Sequence, residues 1–576
     1  MNWKLKEALQ SLAKEEQGAV YKRQGIPIAL MYPNSYYVGM SNLGLHIIYK
    51  EINNRSDSYC ERVFMPDKKD LAEYERSKTP LMSVETQRPL NEFSVIGIAI
   101  TFEMDYFHIP TLLRMGRVPV YAKDRTDQDA FVISGGPCST FNPEPFSAFM
   151  DACIIGEGEE VIHNVLDVIH GGRSEGLSRR EILFRLAQLE SVYVPSFYEP
   201  QYDGEDYFIG YKVTEGVPKT VKRAWAELTS PGETVVVTDD TEFGGMYIVE
   251  VARGCGRHCR FCMAGYVFRK PRVRTLEELK EGVHRAAVIG KKVGLMGAAI
   301  SDYPQIDELV RYMEGEGIPY SCASLRADSL TLDVVEGLAR SGQKTITIAP
   351  EAGSERLRRV VNKGITDEHL MRAVSLAAEA GLQHVRLYIM IGLPTETEED
   401  IDAIVSMAIA LQNHMKAVGV KGKLTLSVNP FIPKPSTPFQ WMALEEQKLI
   451  ETKLSRLKKA LQKQKGIEVL VESPKEAYIQ AVLARGDRRV GEILQLASEE
   501  GGAKSFLKVC KRLGFSVEEE LYRERRVDEI LPWSHLDMHL KDDYLAMEWK
   551  RSVEEAYTVP CMDGCRRCGV CGGRDE

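Results

Sequence analysis

The sequence predicts an α/β protein: two successive units of parallel sheet and helix, then an α+β extension that ends in a cysteine-rich tail. Three observations carry this. Apolar runs of strand length alternate with amphipathic helical stretches over residues 26–172, and again over 246–440. Several helices of the second series stop at a glycine, Gly290 among them. Seven of the twelve cysteines fall in two short clusters, 255–262 and 561–571.

At 576 residues the chain is too long for one ordinary domain. The expected division is an N-terminal helix at 1–25, a first α/β unit at 26–175 and a linker with strands at 176–245. A second α/β unit at 246–440, an α+β region at 441–540 and the tail at 541–576 follow. A content of 44% hydrophobic and 27% charged residues suits a soluble globular chain. The net charge is −9, from 74 basic and 83 acidic residues, so no whole-chain basic field recruits nucleic acid. The opening "MNWKLKEALQSLAKEEQ" reads as an amphipathic helix with Trp3, Leu5, Leu9 and Leu12 on one face, without the apolar core of a signal peptide. No apolar run reaches the roughly 18 residues of a membrane span, so a cytoplasmic location and no membrane partner are expected.

In the first unit "IPIALMYP" reads as a buried strand, and Ser41 and Asn42 as caps of the helix that follows. "YCERVFMP", "FSVIGIAITF" and "DAFVISGGP" are further strands, and "DACIIGEGEEVIHNVLDVI" is a short strand, a glycine turn and a helix. Short glycine turns between parallel strands suit a doubly wound, Rossmann-like sheet with its crevice at the strand C-termini. "GEGEE" carries too much negative charge to cradle phosphate.

In the second unit "MYIVEVA" precedes Cys255, Cys259 and Cys262, spaced C-x3-C-x2-C. A structural zinc site takes four ligands, and no fourth cysteine follows before Cys322. Three thiolates suit a [4Fe–4S] cube with one iron left open. Phe261 stands just before the last of them, either over the cluster or as loop packing. Cys60, Cys138, Cys153, Cys322 and Cys510 read as buried small hydrophobes.

"CGRHCRFC" resembles the C-x3-C-x-aromatic-C signature of the radical S-adenosylmethionine (radical SAM) superfamily. The resemblance implies that the open iron is chelated by the amino and carboxylate groups of S-adenosylmethionine. An electron from the reduced cluster then cleaves the sulfonium to a 5′-deoxyadenosyl radical, so an electron donor is implied. Six strand–helix repeats follow this reading as a partial (β/α)6 barrel, whose chemistry sits at the C-terminal strand ends. Gly297 and Ala298 look like the turn that meets the methionine amino group, although Gly-Ala-Ala stands where many relatives have Gly-Gly-Glu. Ser324, Arg326, Glu351 and Asn429 end later strands, and "EAGSERLRRVVNKG" resembles the stretch that meets ribose or methionine. Arg386 and Tyr388 share one face of the fifth strand. Arg386 needs a partner there, either a bound carboxylate or Glu351.

"ISGGPCSTFNPEPF" with "MDACIIGEGEEV" resembles the cobalamin-binding domain fused ahead of many radical SAM cores. Gly135, Gly136 and Gly156 carry the resemblance, which implies that backbone approaches a corrin there. The D-x-H-x-x-G motif with its cobalt-ligating His is missing. In the α+β extension, Arg485, Arg488 and Arg489 of "LARGDRRV" either meet phosphate or carboxylate or lie on a solvated helix face. Cys561, Cys565, Cys568 and Cys571 form C-x3-C-x2-C-x2-C, dense enough for an auxiliary iron–sulfur cluster or a zinc knuckle.

The leading expectation is a radical SAM transferase, a cobalamin-dependent methyltransferase. The alternatives are a cobalamin-free methylthiotransferase acting on RNA or protein, and a non-catalytic iron–sulfur sensor, which would need no vacant iron. The substrate, whether small molecule, RNA or peptide, is not named by any segment.

Overall fold

The computed structural model describes residues 2–571; the last five residues of the predicted 541–576 tail unit lie outside them. The first unit is a six-stranded sheet of β1 (Ile26–Tyr32), β2 (Ser58–Phe64), β3 (Val95–Ala99), β4 (Phe131–Gly135), β5 (Ala152–Ile154) and β6 (Val192–Tyr193). Its order is β2-β1-β3-β4-β5-β6, parallel except for β6. The sequence direction of winding reverses between β1 and β3, where a doubly wound sheet opens its crevice. All seven residues of β2 and the last five of β1 are buried, as a sheet covered on both faces requires. Cys60, Cys138, Cys153, Cys322 and Cys510 are buried and unpaired.

A hairpin of β7 (Tyr198–Tyr202) and β8 (Phe208–Val213) follows, then β9 (Val221–Lys222). The second unit begins with β10 (Tyr247–Glu250). The short antiparallel pair β11 (Ala252–Arg253) and β12 (Arg272–Val273) brackets the first cysteine cluster. β13 (Val293–Met296), β14 (Tyr320–Cys322), β15 (Thr345–Glu351), β16 (His384–Ile391), β17 (Leu424–Pro430) and β18 (Ile467–Val471) continue it. The strands run parallel in two hydrogen-bonded groups, β10-β13-β14 and β15-β16-β17-β18, joined by a bridge between Leu325 and Ile348. This is an open parallel barrel of seven strands. The seventh strand is "IEVLVES", expected as a strand of the α+β region beyond a proline-rich segment and a charged helix, and found paired with β17 as part of the barrel. Its residues are half-buried or exposed in alternation, as befits an edge.

In β16 Val385, Leu387, Ile389 and Ile391 are buried, while Arg386, Tyr388 and Met390 are more open. The buried set packs outward under the helices; the other lines the inside, beside Thr425, Ser427 and Asn429 of β17. Helices Pro474–Arg485 and Val490–Glu499 cover the first unit rather than solvent. "LARGDRRV" is therefore not a solvated face. Arg485 is fully buried, and Arg488 pairs with Glu144 at 3.0 Å and donates to the Tyr198 carbonyl. The last strand, β19 (Leu536–Asp537), pairs with β9 and leads to helix Tyr544–Val553. Of the N-terminal helix face, Leu5 is buried and Trp3 is exposed. No helix among the described residues is long and apolar enough to cross a membrane.

Candidate active site at the barrel mouth

The loop from Gly254 to Pro271 carries Cys255, Cys259 and Cys262 over the C-terminal strand ends. Gly254 has φ +75°, and a Cβ there would lie 2.1 Å from the Phe268 carbonyl oxygen, so only glycine admits this turn. Three side chains that alternate with the thiols pin the loop. Arg257 forks onto Asp302 at 2.7 and 2.5 Å and reaches Asp328 at 2.9 Å, both beyond strands β13 and β14. Arg260, fully buried, donates to the carbonyls of Arg359, Val360 and Ala556 and pairs with Glu548 at 3.1 Å. Phe261 and Trp549 pack against Phe431 and Phe439 in a small apolar cluster at the mouth.

From beneath, Asn362 donates to the carbonyls of Arg257, His258 and Thr558 and accepts from the Thr558 amide. Beside it Lys363 reaches Glu351 at 2.9 Å, and Arg326 donates to the Lys363 carbonyl at 2.7 Å. Glu351 has φ +71°, a strained conformation for a residue with a side chain, at the point where the register of β15 slips. The two predicted strand-end residues, Arg326 and Glu351, thus meet through a lysine that sequence reasoning missed. "VVNKG" reads as a helix end, and no local pattern reveals that its lysine turns inward.

Cys259 is buried and Cys255 and Cys262 are half-buried; none is in a disulfide. Burial, and then the neighbouring thiols, push the Cys262 thiol up to about 12 and raise Cys255 as well. Burial opposes the charged form of Lys363, but Glu351 and Cys259 outweigh it and raise its pKa. Three mutually repelling thiols beside buried cations form a donor set that a cationic metal core relieves. Among the described residues no three His, Cys, Asp or Glu side chains stand close enough to hold a single ion.

Inside the barrel Arg386 is level with Thr347 on one side and Thr425 on the other. Its Nε is buried without a hydrogen-bond partner, and Glu351 is engaged by Lys363 instead. Gly297 follows β13, its Cα hydrogen facing the Ala252 backbone, where a Cβ would sit 3.3 Å from the carbonyl oxygen. Ala298 and Ser324 are exposed at the same rim, and Asn429 is half-buried opposite Met390.

Two family models match. Residues 249–408 match the radical SAM superfamily and residues 44–195 match the N-terminal domain of radical SAM proteins. The uncharacterized protein MJ0966 of Methanocaldococcus jannaschii is 31% identical over 486 residues, 84% of this chain and 93% of that protein. The chain belongs to the radical SAM superfamily. A tRNA-2-methylthio-N(6)-dimethylallyladenosine synthase of Aquifex aeolicus is 27% identical over 47% of this chain and 64% of its own length. The cobalamin-dependent S-adenosylmethionine radical enzyme OxsB, solved with aqua-cobalamin, aligns with 92% of this chain and 80% of its own at 12% identity and a TM-score of 0.43.

In this radical SAM chain, the glycines of the first sheet mostly serve the fold itself. At Gly136 (φ +100°) a Cβ would lie 2.7 Å from the Ile100 carbonyl oxygen; at Gly156 (φ +102°) it would lie 2.3 Å from that of Ala224. Only Gly135 faces open space. Next to them Asn142 donates to the carbonyls of Ala484 and Gly486, so the chain's own helix covers this edge. The acidic turn after Gly156 holds the barrel: Glu157 pairs with Arg272 and with Arg253, which flank the cysteine loop.

The tail returns to the same loop. The Cys561 amide donates to the Gly256 carbonyl at 2.8 Å, and its Sγ lies 3.4 Å from His258 Nε2. His258, between Cys255 and Cys259, is fully buried with φ +56°, and its Nδ1 meets Tyr544 Oη at 2.6 Å. Burial and three nearby arginines push its pKa down to about 2, so the ring is neutral. Cys568 is buried, Cys561 and Cys565 are half-buried, and Cys571 is exposed. The two cysteine clusters, some 300 residues apart in the chain, are in contact in the fold.

Proposed function

We propose that the chain is a radical SAM enzyme in which Cys255, Cys259 and Cys262 hold the [4Fe–4S] cluster and the barrel lumen receives S-adenosylmethionine, and that it transfers a one-carbon group, methyl or methylthio. One observation carries the reading: three unpaired thiols at the mouth of a parallel barrel, flanked by Arg326 and Lys363. When bound, a three-thiolate cube supplies one electron and an open iron.

The chain's residues do the rest. Lys363 and Arg326 balance the charge of the thiolates from below. Arg386, with its unpartnered Nε, is positioned to bind a carboxylate such as that of methionine. Gly297 keeps the rim thin where the methionine amino group would approach backbone. The cluster of Phe261, Phe431 and Phe439 keeps water from the mouth.

Of the predicted corrin cradle, Gly135 is the glycine that faces open space. The close approaches at Gly136 and Gly156 are filled by the chain's own backbone, and the adjoining edge is covered by helix Pro474–Arg485. A cobalamin-free form is the second reading, favoured by the similarity to methylthio-forming synthases. Corrin-free protein, reconstituted anaerobically, should form 5′-deoxyadenosine from S-adenosylmethionine. Protein that co-purifies with one corrin per chain, and that cleaves only in its presence, would refute the cobalamin-free form.

A further inference from the structure

We propose that Cys561, Cys565, Cys568 and Cys571 hold a second iron–sulfur cluster, charge-balanced by Arg269, that passes single electrons to the core cluster across His258. This rests on the assignment of the core cysteines above.

The first support is contact. Gly256 and His258 both lie between two core cysteines, and Cys561 touches both. A Cβ on Gly256 would come within 3.1 Å of Cys561 Cβ, so glycine permits the approach. The second is Arg269. It is 1% exposed, and none of its three guanidinium nitrogens has a hydrogen-bond partner. Among the described residues no carboxylate pairs with it; the groups nearest its charge are the Cys561 thiol, the Tyr544 hydroxyl and the Cys568 thiol. A buried cation without a counter-charge is costly. Four thiolates around a cluster supply the missing anion.

The third is spacing. The four thiols fall in one compact run of eleven residues, C-x3-C-x2-C-x2-C, whereas zinc sites draw two knuckles from separated loops and a compact run resembles ferredoxin spacing. The fourth is orientation. Cys571 is exposed, and Gly569 and Val570 border an open recess of about 510 Å³ with Arg223, Trp225 and Lys270. The tail thus has a solvent side, where an electron enters, and a His258 side, where it leaves. A low-potential one-electron carrier is oxidised as it reduces the tail cluster. The tail cluster is reoxidised as the core cluster is reduced. No bond or proton changes at either centre.

The test uses the full chain reconstituted anaerobically with iron and sulfide. The wild type should hold about eight irons, and Cys259→Ala and the double variant Cys565→Ala/Cys571→Ala about four each. Zinc in the tail in place of iron would overturn the proposal. Failure of the core assignment reads differently: Cys259→Ala would then keep all its iron. Formation of 5′-deoxyadenosine is next driven by dithionite or by reduced flavodoxin, a protein one-electron donor. In the tail double variant the ratio of flavodoxin-driven to dithionite-driven rate should fall at least about tenfold; an unchanged ratio would overturn the relay. Arg269→Gln should lower the tail cluster's midpoint potential by about 59 mV or more, a tenfold change in a one-electron equilibrium, with Arg269→Lys restoring most of it. A wild-type potential in Arg269→Gln would overturn the charge-balancing role.

Discussion

Replacing Arg260 by Met should release the tail from the cysteine loop. Arg260 and Glu548 are both fully buried, and their 3.1 Å pair joins the loop to helix Tyr544–Val553. The same guanidinium satisfies the carbonyls of Arg359, Val360 and Ala556 and reaches Thr558 Oγ1. Removing one partner of a buried pair costs about 3–5 kcal/mol, because the other charge stays buried without compensation. Glu548 keeps Thr558 Oγ1 as a donor, at 2.8 and 2.9 Å, which places the loss toward the lower end. A loss of about 3 kcal/mol raises the local opening constant of the tail roughly 100-fold. Hydrogen exchange of amides at 541–571 reads this directly, without assuming that a multidomain chain unfolds in two states. The double variant Arg260→Met/Glu548→Leu should recover at least half of the loss, since it leaves no buried charge alone. Unchanged tail exchange in Arg260→Met, or a double variant worse than the single, would refute the argument.

Two further outcomes are expected. Arg386→Gln should weaken S-adenosylmethionine binding about 10- to 100-fold, the worth of a charge-assisted hydrogen bond to a carboxylate; wild-type affinity by calorimetric titration would remove Arg386 from the site. Burial pushes the Asp105 carboxyl, beside Asn34 at the first sheet's switch point, from 3.8 up to about 7. The native state therefore keeps a proton that the unfolded chain releases. Stability is fully present below about pH 4 and falls by about 4 kcal/mol as pH rises through 7. Asp105→Asn should abolish that fall in urea titrations at pH 5 and 8, and an equal pH dependence in both proteins would contradict it.

The two parallel units were legible because strands buried on both faces leave continuous apolar runs, and glycine marks the helix ends. The core cysteines were legible because their spacing is local. β18 was legible as the strand "IEVLVES", but its place beside β17 in the barrel was not, since it follows a proline-rich segment and a charged helix. Lys363 and Asn362 were missed for another reason: they act through a helix end that turns under the loop, a placement that only the fold supplies. Gly136 and Gly156 show the converse. Their positive φ values show that the positions demand glycine, and the close neighbours are the backbone of Ile100 and of Ala224. Likewise the contact of Cys561 with His258 spans 303 residues, and no window of sequence contains both.

Cys255, Cys259 and Cys262 are the proposed seat of the radical chemistry. Its most direct test is the yield of 5′-deoxyadenosine when anaerobically reconstituted full chain is given dithionite and S-adenosylmethionine, beside Cys259→Ala treated identically. The account predicts product from the wild type and none from the variant, because two thiolates do not retain the cube. Undiminished product from Cys259→Ala would contradict it.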